Sequence, residues 1–73
     1  MSSSDKLVYM ANQIAGTFRT RPGEDAVAAT AEHISNFWEP RMRAKLFELM
    51  DEEPTRFDRI VREARNRIRP VKT

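Results

Sequence analysis

The chain has no cysteine. That excludes disulfides, thiolate zinc sites, iron–sulfur ligation by this polypeptide and a cysteine nucleophile. Histidine is nearly as scarce, and His33 alone cannot assemble a histidine metal site. Only two glycines occur, Gly16 and Gly23, so no glycine-rich loop is available to cradle a phosphate. A helix end and a turn account for both. No apolar run approaches the ~20 residues of a membrane span. The opening Met1-Ser-Ser-Ser-Asp5 lacks the basic-then-apolar pattern of a signal peptide. The expectation is a soluble cytoplasmic protein. At 73 residues and 8.5 kDa, one domain covering 1–73 is expected, burying only ~60% of its unfolded surface and too small for a lidded cleft.

What is present is charge. Charged side chains make up 33% of the sequence, above the usual ~25%. The net charge of +2 hides an asymmetry. Residues 1–39 carry −2 and residues 40–73 carry +4. A basic end of this kind suits an acidic protein surface, a phosphate-bearing cofactor or nucleic acid, and composition does not choose among them.

Apolar residues recur at helical spacing, which predicts an all-α fold: a small bundle of three to four amphipathic helices. The first spans about 5–18, with Leu7, Met10, Ala11, Ile14 and Phe18 on one stripe and Ser4 as N-cap. The second spans about 24–38, through Val27, Thr30, Ala31, Ile34 and Trp38, with Phe37 widening the stripe. It should stop by Glu39, because the residue before proline is pushed out of the helical region. The third, about 40–50, opens on Pro40 at N1 and carries Met42, Leu46, Leu49 and Met50, with Phe47 beside them. The fourth, about 54–69, carries Phe57, Ile60, Val61, Ala64 and Ile68, with Thr55 and Asp58 as a capping box. Residues 1–4 and 70–73 are expected to fray.

Catalytic groups are few. Glu24, Asp25, Asp51, Glu52 and Glu53 are expected at helix starts, where matching the dipole explains them. His33 reads as a structural or solvated histidine, with no nucleophile or orienting carboxylate set for it. Arg56, Arg59, Arg62, Arg65, Arg67 and Arg69 could track phosphates, but Asp58 and Glu63 interrupt them and the positive charge spreads around the helix. A small basic nucleic-acid-binding domain is therefore the weaker reading.

The block Phe37-Trp-Glu-Pro-Arg-Met-Arg43 breaks a local rule. Arg41 and Arg43 fall in the first turn of the third helix, where a cation opposes the dipole at a cost of ~0.3–1 kcal/mol each. Such breaks mark places where a partner is expected, and Trp and Arg are enriched in interface hot spots. Phe37, Trp38, Pro40, Arg41, Met42 and Arg43 are thus candidate partner-binding residues. The competing reading puts Phe37 and Trp38 in the core and pairs the arginines with Glu39, Glu24 or Glu32.

Three blocks together resemble a known family. Asp5-Lys-Leu-Val-Tyr-Met-Ala-Asn-Gln-Ile-Ala15, Ala31-Glu-His-Ile34 and the 37–43 block are similar to the delta subunit of soluble NAD-dependent, molybdenum-containing formate dehydrogenase. The resemblance covers roughly residues 5–50, and the aromatic–proline–Arg-Met-Arg block is its most specific part. From Pro54 onward no signature supports it. The resemblance implies a small accessory chain of a cytoplasmic complex that oxidises formate to carbon dioxide. The large alpha subunit would hold the molybdenum bis-guanine-dinucleotide cofactor and iron–sulfur clusters. The beta and gamma subunits would pass electrons through FMN and clusters to NAD. The delta chain would hold no cofactor and no catalytic residue. It would support assembly or stability of the alpha subunit, or help transiently in inserting the molybdenum cofactor.

Overall fold

A computed structural model describes residues 2–21 and 25–71. Helix α1 runs Ser3–Arg19, α2 Ala26–Phe37, α3 Pro40–Glu52 and α4 Arg59–Ala64. Single 3₁₀ turns, Pro54–Arg56 and Arg65–Arg67, flank α4. No strand occurs among the described residues. The all-α architecture follows from the repeated apolar stripes. Helix α2 lies at the centre and packs on both α1 and α4. Ala11 and Ala15 of α1, Ala31 of α2 and Ala64 of α4 are fully or almost fully buried, and their small side chains let the helices approach closely. Ile34, Leu46 and Val61 are fully enclosed around them, each burial worth about 1.5–3 kcal/mol.

The ends of the helices correct several expectations. The N-cap of α1 is Ser2, not Ser4. Its hydroxyl accepts from the Asp5 N–H, and the Asp5 carboxylate accepts from the Ser2 N–H. This reciprocal pair satisfies two orphan donors and orders a stretch expected to fray. Asp25 caps α2, accepting from Val27 and Ala28 N–H groups, both at 3.1 Å. Glu24, expected in the same turn, lies outside the described residues, as do Lys72 and Thr73 of the expected frayed end. Helix α2 stops at Phe37, and Trp38 and Glu39 are extended ahead of Pro40. Helix α3 continues two residues past its expected end. Asp51 and Glu52 therefore stand in its last turn, at the negative end of the dipole, rather than at a helix start.

The expected fourth helix is the largest departure. The stripe is correct: Phe57, Ile60, Val61, Ala64 and Ile68 are all buried. The backbone is not one helix. Phe57 is extended, with φ −103° and ψ 142°, which separates the 3₁₀ turn from α4. Asp58, not Thr55, is the N-cap, accepting from the Ile60 N–H at 2.9 Å. A side chain from another helix sets this break. The Asn12 amide donates to the Arg56 carbonyl at 3.0 Å and accepts from the Asp58 N–H at 2.8 Å. It thereby holds the backbone on both sides of Phe57, whose ring fills the core.

Three residues expected on apolar stripes are not in the core: Phe18, which is half-buried in an aromatic row, Met10 and Phe37. Met10 is 40% exposed and Phe37 is 74% exposed. Ile14, Val27, Met42 and Phe47 are partly buried against it. Thr30, on the buried stripe of α2, encloses a hydroxyl that has no hydrogen-bond partner.

Candidate interaction surface at the α2–α3 corner

The corner between α2 and α3 divides its six candidate residues between the interior and two outer surfaces. Trp38 is 6% exposed and belongs to the core. Its N–H closes α2 on the Ile34 carbonyl at 3.0 Å. Arg43 is also 6% exposed. Its guanidinium donates to the Arg69 carbonyl at 2.7 Å, while its buried Nε has no partner. Arg43 therefore fastens the C-terminal segment from beneath. Around the same segment, the Ser35 hydroxyl accepts from the Arg69 N–H at 2.8 Å and Asn36 accepts from the Arg69 guanidinium at 3.3 Å.

Phe37, Pro40 and Arg41 remain exposed and Met42 half-buried. The Phe37 ring stacks at 4.8 Å on His33, which meets Phe18 edge-on at 6.2 Å. Arg21 lies over the other partner of this row, 5.0 Å from the Phe18 ring. His33 thus has a packing role between two aromatic rings. The six residues do not form one patch: Phe37 joins the aromatic row on α1 and α2.

Arg41 and Met42 belong elsewhere. They line a groove between the first turns of α3 and the N-terminal half of α1, together with Ser3, Ser4, Lys6, Leu7, Met10 and Lys45. Sequence reasoning missed Lys6 and Lys45. Met10 was legible only as a stripe residue, and its exposure is what assigns it to this surface. The α3 N-cap, Glu39, makes no side-chain cap hydrogen bond, so the first turn carrying Arg41 has no acidic cap.

Elsewhere several arginines are matched by acids. Arg56 donates to Asp5 at 2.5 Å and to Glu53 at 3.5 Å. Arg65 bridges to Asp51 at 2.8 Å and lies 5.1 Å from the Phe47 ring. Arg59 pairs with Glu63, Arg19 with Asp58, and Arg67 with Asp25 at 3.6 Å. The Arg56 guanidinium, with the Ser2 backbone and hydroxyl, holds the Asp5 carboxyl below the usual carboxylate range. The arginine-rich segment is therefore stitched onto acids of α1, α2 and α3 instead of forming a continuous cationic face. Among the described residues no group of three His, Asp or Glu side chains is placed to hold a metal ion. No helix among them is long and apolar enough to cross a membrane.

A protein-family model, described as NADH-dependent formate dehydrogenase delta subunit FdsD, matches residues 6–65. The match takes in α1 to α4 and extends past residue 50 through the Phe57 break. No curated protein and no solved structure matches the chain.

Proposed function

Since the chain belongs to the family of formate dehydrogenase delta subunits, we propose that it is a non-catalytic accessory subunit that supports assembly or stability of the large catalytic subunit. In this reading the complex is cytoplasmic. The molybdenum cofactor, the iron–sulfur clusters and FMN reside in the other chains, and the delta chain contributes shape and adhesion. The observation that supports the adhesive role is Phe37. A phenylalanine 74% exposed at the end of a helix, resting on His33 at one end of an aromatic row, is an apolar anchor outside the core. Aromatic anchors of this kind are enriched among residues that dominate interfaces.

The complex purified from cells with and without this chain tests the reading. Without it, the remaining subunits are expected to keep their molybdenum and to separate more readily in gel filtration. Intact subunits lacking molybdenum would instead support cofactor insertion. A complex unchanged in both respects would remove the accessory role.

A further inference from the structure

The groove between α1 and α3 combines two properties. Its floor is apolar, built from Leu7, Met10 and Met42, and its rim carries Lys6, Arg41 and Lys45 with no carboxylate among the lining residues. Its accessible volume is about 260 Å³. Methionine floors adapt to varied apolar partners, because the side chain is unbranched and polarizable.

The charge around the groove is what identifies the occupant. Arg19, Arg56, Arg59, Arg65 and Arg67 pair with acids, several of them distant in sequence. Lys6 and Arg41 do not. Neither has an ion-pair partner among the described residues, and both stand on this rim. Lys45 has only Glu48, one turn away, at 3.7 Å, with both side chains about half exposed. Three cations thus stand beside an apolar groove whose own lining supplies no acid to match them. Along α1 the lining runs from Ser3 to Met10, which at 1.5 Å per residue is about 10 Å, or two helical turns.

The geometry points to a docking site for an acidic amphipathic segment of another subunit of the formate dehydrogenase complex. About two turns of that segment lie in the groove. Its apolar side chains sit on Met10 and Met42, and its carboxylates reach Lys6, Arg41 and Lys45. This follows the helix-in-groove mode of recognition, with charge complementarity setting orientation and partner choice. It also explains Arg41, a cation in an uncapped first turn: its carboxylate arrives with the partner. The inference rests on the accessory-subunit reading and specifies its surface.

The test uses the full-length tagged chain, co-expressed with the other subunits and captured on the tag. The double variant Lys6→Glu/Arg41→Glu and the single variant Met10→Asp are compared with wild type and with Arg62→Glu. Arg62 is an exposed cation on α4, also without an ion-pair partner among the described residues, and it lies outside the groove. The groove variants are expected to retain the partner subunits at least about tenfold more weakly, and Arg62→Glu to match wild type. Retention by wild type should fall between about 0.05 M and about 0.5 M salt, as screening requires. Groove variants that hold the complex as wild type does would overturn the groove while leaving the accessory role standing. Equal loss with Arg62→Glu would reduce the effect to net charge and also overturn it. Wild-type chain that captures no subunit would sink the accessory reading together with the groove. Sedimentation of the isolated chain adds one further arm. A dimer dissolved by Lys6→Glu/Arg41→Glu would make a second copy the occupant and refute the acidic partner.

Discussion

Asn12 carries two hydrogen bonds that join α1 to the backbone on either side of Phe57, 44 and 46 residues away. Asn12→Ala leaves a part-buried carbonyl and N–H without partners, which costs roughly 1–3 kcal/mol. Thermal unfolding should show the loss, and an unchanged melting temperature would mean that water replaces the amide. Arg43 and Arg41, two positions apart, are expected to respond in opposite ways. Arg43→Glu places an acid beside the Arg69 carbonyl in the interior and should destabilise the isolated chain by about 3 kcal/mol or more. Arg41→Glu, at an exposed position, should leave its stability within about 0.5 kcal/mol. Equal melting of the two variants would contradict the inward placement of Arg43. Sequence pattern made both arginines conspicuous but could not separate them. The direction of a first-turn side chain depends on what packs above it, and the Arg69 carbonyl arrives from 26 residues downstream.

At the scale of elements, apolar spacing was the legible part. The stripes of α1 to α3 and of the 57–68 segment fall where the periodicity puts them, apart from Met10, Phe18 and Phe37. The backbone of the last segment was not legible, because the same i, i+3, i+4, i+7 pattern is met by a broken path when a side chain elsewhere caps the break. Asn12 is that side chain, and as a polar residue inside a helical run it gave no local signal of its distant partner. The start of α1 makes a related point. Asp5 is at once the N3 member of the capping box and the acceptor for Arg56, so one carboxylate joins the first helix to the 3₁₀ turn before α4. Its pKa is lowered on folding, chiefly by the Arg56 hydrogen bond. The stabilisation is therefore complete above the unfolded aspartate value of about 4 and fades as pH falls through the lower folded value. Asp5→Asn should melt below wild type at about pH 6, with the gap narrowing at about pH 3. A gap that stays constant would show that the ion pair contributes nothing to the difference.

The whole molecule measures 34 × 27 × 18 Å. The short dimension leaves room for about two packed layers of helix, whose axes lie ~8–10 Å apart. Its radius of gyration of 11.4 Å is that of an ordinary compact domain of this length. Phe37→Ser tests the adhesive role at this scale. Removing a ring already in water should change the isolated chain by no more than about 0.5 kcal/mol, yet weaken its retention in the complex. Retention equal to wild type would return Phe37 to the class of incidental exposed hydrophobics. The aromatic and basic corner was conspicuous in sequence. The division of its residues between core, aromatic row and groove was hidden, since it depends on how α1 crosses the corner.

The long-distance stitching also bears on how the protein is made. Asp5 and Asn12 are translated 51 and 46 residues ahead of their partners Arg56 and Asp58. Synthesis runs from the N-terminus, so the first helix waits with its fastenings open until Arg56 and Asp58 have been made. A nascent fragment cannot close its own clasp, and a premature stop before Arg56 would release a product without it. The stretch around Phe57 thus fastens onto α1 only after the three helices before it have been made.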